Sequence, residues 1–128
     1  MTLPVKDRGK LEELSKAKAH GASLLAGCDA AIVVFADSGI SDAWIEDSSI
    51  ALAHMELAAT EQEVGSCWVQ IRMRKDEKGG DAEDNVREIM GLENSYRLVG
   101  IMAFGIADEE KEPYRLDELK WEKVHRDQ

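Results

Sequence analysis

The stretch Trp44–Arg72, WIEDSSIALAHMELAATEQEVGSCWVQIR, decides how this chain is read. It opens on an aromatic residue followed by the acidic pair Glu46 and Asp47. It then runs through Ile50, Ala51, Leu52, Ala53, Met55, Leu57, Ala58 and Ala59 and reaches Gly65. Asp42 is placed to cap a helix whose first turns carry the two acids, where the helix dipole favours negative charge. The spacing predicts a helix from Trp44 to about Val64, stopped at Gly65. An exposed helix has no use for so many small apolar residues, so burial on more than one face is expected, in a core or against a second subunit. Beyond it, Cys67, Val69, Ile71 and Met73 alternate with Trp68, Gln70 and Arg72, which predicts a strand with one face more polar than the other.

Working outward, Leu11–His20 has helical spacing that Gly21 ends or bends, and Ala22–Ala26 is a short apolar turn stopped by Gly27. Ala30–Ala36, AAIVVFA, is a β-branched run without alternation and reads as a central strand covered on both faces. Lys75–Asp84, KDEKGGDAED, reads as a mobile charged loop. Asp81 or Asp84 then caps a helix through Val86, Ile89 and Met90 that ends at Gly91. Tyr96–Ile106 is a second strongly apolar strand. Helices and strands alternate, so the fold class is mixed α and β in a single domain, 1–128. The visible strands are three, near Ile32, Val69 and Ile101, and so thin a sheet suggests a partner subunit or a missing segment. Residues 107–128 are charged but carry Tyr114, Leu116, Leu119, Trp121 and Val124, which reads as a tail packing on the body or on a partner.

The chain has 128 residues, 44% hydrophobic and 33% charged, the balance of one globular domain rather than a disordered segment. Its net charge of −10 disfavours nucleic acid, because phosphate backbones need a basic surface. The apolar runs are too short or too interrupted to cross a bilayer, so no membrane partner is expected. With no signal peptide, Cys28 and Cys67 read as reduced cytoplasmic thiols.

No single motif carries chemistry. Gly79-Gly80 sits among acids and lacks the lysine and hydroxyl of a phosphate-cradling loop. His20, His54 and His125 lack metal-ligand spacing with the cysteines, so no metal site is expected. Cys67 follows a helix C-terminus, where nothing activates a thiol, and reads as a small buried core residue. His54 reads as an interface histidine, and Trp44, Trp68 and Trp121 as packing residues whose N–H groups need partners. The sequence offers no catalytic constellation.

Five ordered blocks together carry more information than any motif. KAHGASLLAGCDAAIVVFAD, WIEDSSIALAHMELAATEQEVGSCW, VREIMGLENSYRLVGIMAFGIADEEKEP and LKWEKVH, with the strand between them, resemble the nitroreductase family of FMN oxidoreductases in its short-chain branch. The resemblance implies an α+β fold, a nitroreductase-like mixed sheet flanked by helices, in an intertwined homodimer joined through the Trp44–Val64 helix. It implies FMN as cofactor, NAD(P)H as co-substrate, and a small-molecule electron acceptor such as a nitro compound or quinone. It places Val69, Gln70, Ile71 and Arg72 along the flavin, and Lys111 or Arg115 at the FMN phosphate. Three departures are visible. Glu63-Val64 stands where the family usually has Gly-Leu, and Ile106-Ala107 where it usually has an aromatic residue and proline. The arginine-rich segment with which family members begin, and which grips the phosphate, has no match before the Leu11 helix, so an N-terminally shortened chain is expected. The alternative expectation is a non-catalytic dimeric member serving as a binding or structural protein.

Overall fold

A computed structural model of the chain describes residues 1–105 and 112–125. Four strands, β1 (Thr2–Val5), β2 (Ala30–Asp37), β3 (Gly65–Gln70) and β4 (Tyr96–Gly105), form one sheet in the order β1-β2-β4-β3. Helix α2 (Trp44–Glu61) covers one face; α1 (Arg8–Leu14) and α3 (Ala82–Met90) cover the other. The α+β class with helices flanking a sheet stands, and within it all three pairings are antiparallel rather than mixed.

The two unalternating runs are the two central strands, and their lack of alternation has the expected cause. Ala31, Val33 and Phe35 of β2, with Leu98, Ile101 and Ala103 of β4, enter the core under α1 and α3. Val34 of β2, with Val99 and Met102 of β4, packs under α2 against Trp44 and Leu52. Burying a side chain such as Leu52 contributes about 1.5–3 kcal/mol. The fourth strand, β1, was not among the three expected. It is four residues long and contains Pro4, which a sheet tolerates only at an edge, and β1 is an edge strand.

Several boundaries differ from expectation for local reasons. Helix α1 starts earlier because Asp7, not a residue nearer Leu11, caps it by accepting from Lys10 N at 3.1 Å. It stops at Leu14 rather than His20 because the following segment is drawn to the loop beyond β3: Ala19 N donates to Lys75 O at 2.9 Å, and Asn85 Nδ2 to Ala17 O at 2.9 Å. Asp42 does not cap α2; its N-cap is Ala43, with the Ser41 hydroxyl accepting from Ala43 N at 3.2 Å. The helix ends at Glu61, before Gly65. Glu63 takes the left-handed conformation (φ 59°), while Glu63 N donates to Thr60 O at 3.1 Å and Val64 N to Ala59 O at 2.8 Å. This is the Schellman ending with glutamate where glycine is usual. Strand β3 runs only from Gly65 to Gln70; Met73 lies beyond it in a left-handed conformation (φ 59°), and both Cys67 and Met73 are exposed rather than lining the buried face with Val69 and Ile71.

The Lys75–Asp84 segment is a tied turn rather than a free loop. Asp76 Oδ1 accepts from Lys78 N at 2.9 Å and Gly80 N at 2.8 Å, and its Oδ2 accepts from Asn85 Nδ2 at 2.8 Å. The Asn85 amide, then the backbone and Lys78, hold the Asp76 carboxyl below its usual range. Asp81 caps α3 through Glu83 N at 2.9 Å, and Gly91 (φ 67°) ends it, both as expected. In the tail, residues 112–125 form two short turns, Leu116–Glu118 and Trp121–Lys123, and are exposed throughout.

Candidate functional site

Of the four contiguous residues expected along a flavin, Val69 and Gln70 close strand β3, and Ile71 and Arg72 follow it directly. Val69 and Ile71 point into the core and fix the strand on the sheet. The polar side chains between them form a relay. Trp68 Nε1 donates to Gln70 Oε1 at 3.0 Å, and Gln70 Nε2 donates to Arg72 O at 3.2 Å. Ile71 N and Arg72 N both donate to Val99 O, at 2.9 and 3.0 Å. The pairing register slips here, with Val33 opposite Ile101 but Phe35 opposite Leu98, so β4 carries an extra residue. Gly100 lies in that bulge. A Cβ there would sit 2.8 Å from Trp68 Nε1 and 2.9 Å from Val69 O, so only glycine lets the indole and the β3 backbone come so close. The outer edge of β3 pairs with no other described strand.

Arg72 is half-buried, its Nε is sealed from solvent, and that N–H has no hydrogen-bond partner among the described residues. Of the other two candidates, Lys111 lies outside the described residues. Arg115 is exposed, and its guanidinium pairs with Asp117 at 3.1 Å; the structure does not bring it to the end of β3.

Two clefts are described, and neither is lined by residues 69–72. One, of about 530 Å³, lies where β2 and β3 begin and β4 ends, and is lined in part by Leu24, Cys28, Ser66, Cys67, Phe104 and Gly105. The two cysteines therefore share one cleft, which their 39-residue separation in sequence hides. Cys28 is buried, its Sγ donating to Leu25 O at 3.3 Å, and burial pushes its thiol up. Cys67 is exposed rather than a core residue. The second cleft, of about 590 Å³, lies between the segment after α1 and the Asp76 turn and includes Lys16, Lys18 and Lys78. Burial, and then the charge of Arg74, lower the Lys18 pKa, which the nearby Cys67 partly opposes. Nothing in the sequence pattern singled out Lys18 or Trp68 for this region.

The strongest electrostatic feature lies elsewhere. Glu83, 3% exposed, accepts from Arg97 Nε at 2.8 Å and from an Arg97 terminal nitrogen at 3.0 Å. It also accepts from an Arg87 terminal nitrogen at 3.2 Å and from Leu98 N at 3.2 Å. Burial alone would raise its carboxyl; the Arg97 and Leu98 hydrogen bonds and the two guanidinium charges outweigh it and hold the group below its usual range. Arg97 in turn lies 4.7 Å from the centroid of Trp44, so one side chain ties α3 to the start of α2. This cluster secures the frame from which β3 and β4 are hung.

Helix-flanked antiparallel sheets of this order, with a small-residue helix along one face, define a class of α+β proteins. The profile of the nitroreductase family matches residues 2–106. The chain belongs to the nitroreductase family. A protein of Archaeoglobus fulgidus with the provisional name NADH dehydrogenase/NAD(P)H nitroreductase is 30% identical over 96% of this chain and 70% of its own length. The structure of an FMN-dependent nitroreductase from Clostridium difficile R20291 superposes with a TM-score of 0.94 at 36% identity, covering 100% of this chain and 75% of that one. A second structure, from Bacteroides thetaiotaomicron and provisionally named NADH dehydrogenase/NAD(P)H nitroreductase, gives a TM-score of 0.84 at 26% identity, covering 100% and 71%.

Proposed function

We propose that this protein is an FMN-dependent oxidoreductase that passes electrons from NAD(P)H to a small acceptor such as a nitro compound or quinone. The observation that carries the reading is the end of β3, where a half-buried guanidinium with an unmet N–H adjoins an open strand edge in a family whose relatives include an FMN-dependent nitroreductase. Those residues fit a planar, hydrogen-bonding, anionic cofactor. The bound flavin supplies the hydride chemistry. The chain supplies the rest. The Trp68–Gln70–Arg72 relay holds the backbone of residues 70–72 in place. Val69 and Ile71 anchor it to the core, and Arg72 offers positive charge. No side-chain acid or base is needed for hydride transfer, in keeping with the absence of a catalytic motif in the sequence.

The reading includes a homodimer. Ile50 and Leu57 of α2 are 55% and 68% exposed, and they share with Ala53, His54 and Ala58 the helix face turned away from the sheet. A second copy would cover that apolar stripe, and the exposed Tyr114, Leu116, Trp121 and Val124 of the tail would wrap the same partner. A soluble location in the cytoplasm is part of the proposal; among the described residues no helix is long and apolar enough to cross a membrane.

The test is uptake of the cofactor. Purified protein incubated with FMN and desalted should stay yellow, release free FMN on heating, and oxidise NAD(P)H in the presence of a nitroaromatic or quinone. A protein that remains colourless after incubation with FMN would refute the oxidoreductase reading and leave the non-catalytic dimer.

A further inference from the structure

Six of the chain's arginines are described, and five of them make side-chain hydrogen bonds, although the Arg87 Nε–H, like that of Arg72, is buried without a partner among the described residues. Arg8 donates to the carbonyls of Ala26 and Cys28, Arg74 to that of Met73, Arg87 and Arg97 meet Glu83, and Arg115 meets Asp117. Arg72 alone has no side-chain hydrogen bond and no ion pair among the described residues, and its buried Nε–H lacks even water access. The chain holds 26 acidic residues against 16 basic ones, yet no described carboxylate pairs with this guanidinium. A buried donor stripped of water and left unpaired costs stability, and a half-buried charge without a counter-charge costs more. Its neighbours do not relieve it. The Gln70 amide is committed to Trp68 and to the Arg72 carbonyl, and Arg72 N to Val99 O. The backbone from which the side chain springs is therefore fixed from both sides, while the charged end is left unpaired.

We infer that Arg72 is the oxyanion receptor of the β3 site, taking a carboxylate or a phosphate monoester carried by the ligand. A guanidinium presents parallel N–H groups that match the two oxygens of either anion, and the sealed Nε–H is one of the two donors such a fork uses. This deepens the proposed function, since it rests on the end of β3 bordering a ligand site. It sets the chemistry of what the site selects: an acidic acceptor such as a nitrobenzoate over its neutral counterpart, or a phosphorylated nucleotide over its dephosphorylated form.

The experiment uses the whole chain without flavin. The ¹H–¹⁵N resonance of the Arg72 Nε–H group, assigned by its loss in Arg72→Lys, is followed while benzoate, inorganic phosphate or neutral benzamide is added. The expected result is a saturable shift with benzoate or phosphate and none with benzamide. Benzoate alone points to an acceptor carboxylate, phosphate alone to a nucleotide phosphate, and either supports the inference. In thermal-shift titrations Arg72→Gln should bind the same anion on the order of tenfold or more weakly, and Arg72→Lys, which keeps the charge but loses the fork, roughly threefold to tenfold. No shift with either anion, an equal shift with benzamide, or wild-type anion affinity in Arg72→Gln would overturn it. If Arg72→Gln does not fold, the wild-type titration still decides. A protein that responds to the anions but refuses FMN loses the flavin reading and keeps this one; one that takes up FMN while ignoring the anions does the reverse.

Discussion

Replacing Glu83 with glutamine should destabilise the fold by about 2–3 kcal/mol at neutral pH. Removing the charge of a buried ion pair commonly costs 3–5 kcal/mol because the partners stay buried without compensation. Two features lower that figure here. The Arg97 side chain is 40% exposed and recovers part of its solvation, and Arg87, although only 11% exposed, keeps Asp84. Glutamine retains an oxygen for Leu98 N or Arg97, but its amide also turns a donor toward a guanidinium, which no geometry satisfies. The remaining loss is a large share of the 5–15 kcal/mol typical of a domain, and it should lower the melting temperature on the order of 10 °C. Urea unfolding followed by far-UV circular dichroism measures it directly. The pH dependence has a definite sign. Glu83 titrates lower in the folded chain than its ordinary value of 4.5, so its contribution is present above that pH and is lost as pH falls through the depressed folded value. The gap between wild type and Glu83→Gln should therefore narrow in acid. A loss below about 1 kcal/mol at neutral pH, or a gap unchanged in acid where the wild-type carboxyl is protonated, would show that the cluster is not held by ionised Glu83.

The other substitutions probe separate parts of the fold. Gly100→Ala forces a Cβ to within 2.8 Å of the Trp68 indole and 2.9 Å of the Val69 carbonyl, so it should cost roughly 1–3 kcal/mol in urea melts and blue- or red-shift tryptophan emission. Unchanged stability would mean that the bulge relaxes freely. Glu63→Gly should stabilise by about 0.5–1 kcal/mol, because Glu63 holds a left-handed conformation that glycine adopts without a Cβ penalty; a drop in the urea midpoint would refute this. Ala58→Asp, on the exposed face of α2, should leave the chain folded but convert a dimer to a monomer in sedimentation, since a charge buried between copies has no partner. An unaltered dimer places the interface elsewhere. Native alkylation should label Cys67 and spare Cys28, which is buried with its thiol pushed up; equal labelling by mass spectrometry contradicts the burial.

The parts of the fold that were legible in the sequence are those where one physical cause acts over many neighbouring residues. Ala30–Ala36 and Tyr96–Ile106 announced central strands because burial on both faces removes alternation over a whole run, and they became β2 and β4. The small-residue run after Trp44 announced a long helix for a similar reason, and Asp81 and Gly91 bracketed α3 with ordinary capping chemistry. Where the cause sits in one residue, or between distant ones, the pattern is silent. Glutamate in a left-handed turn hid the end of α2, since the visible glycine was two residues further on. Four residues around Pro4 carried too little signal to mark an edge strand.

The candidate site divides along the same line. That Val69–Arg72 form one continuous stretch was legible, because a strand keeps its residues in order. What gives the stretch its chemistry was not. The relay from Trp68 through Gln70 to Arg72 depends on alternate side chains standing on one face, and on Gly100, thirty positions away, leaving room for the indole. Glu83 looked like one more acid in a charged helix, since its partner Arg97 lies fourteen residues on and reaches it only after α3 packs beside β4. The distinction that matters for function is likewise relational. Arg72 and Arg97 are the same residue type, both half-buried, and only the fold shows that, among the described residues, one has been given a carboxylate and the other has not. A guanidinium that folding satisfies holds the frame; one that folding leaves unmet is available to a ligand. For that reason the anion titration at Arg72 bears on function, whereas substitution at Glu83 bears on stability.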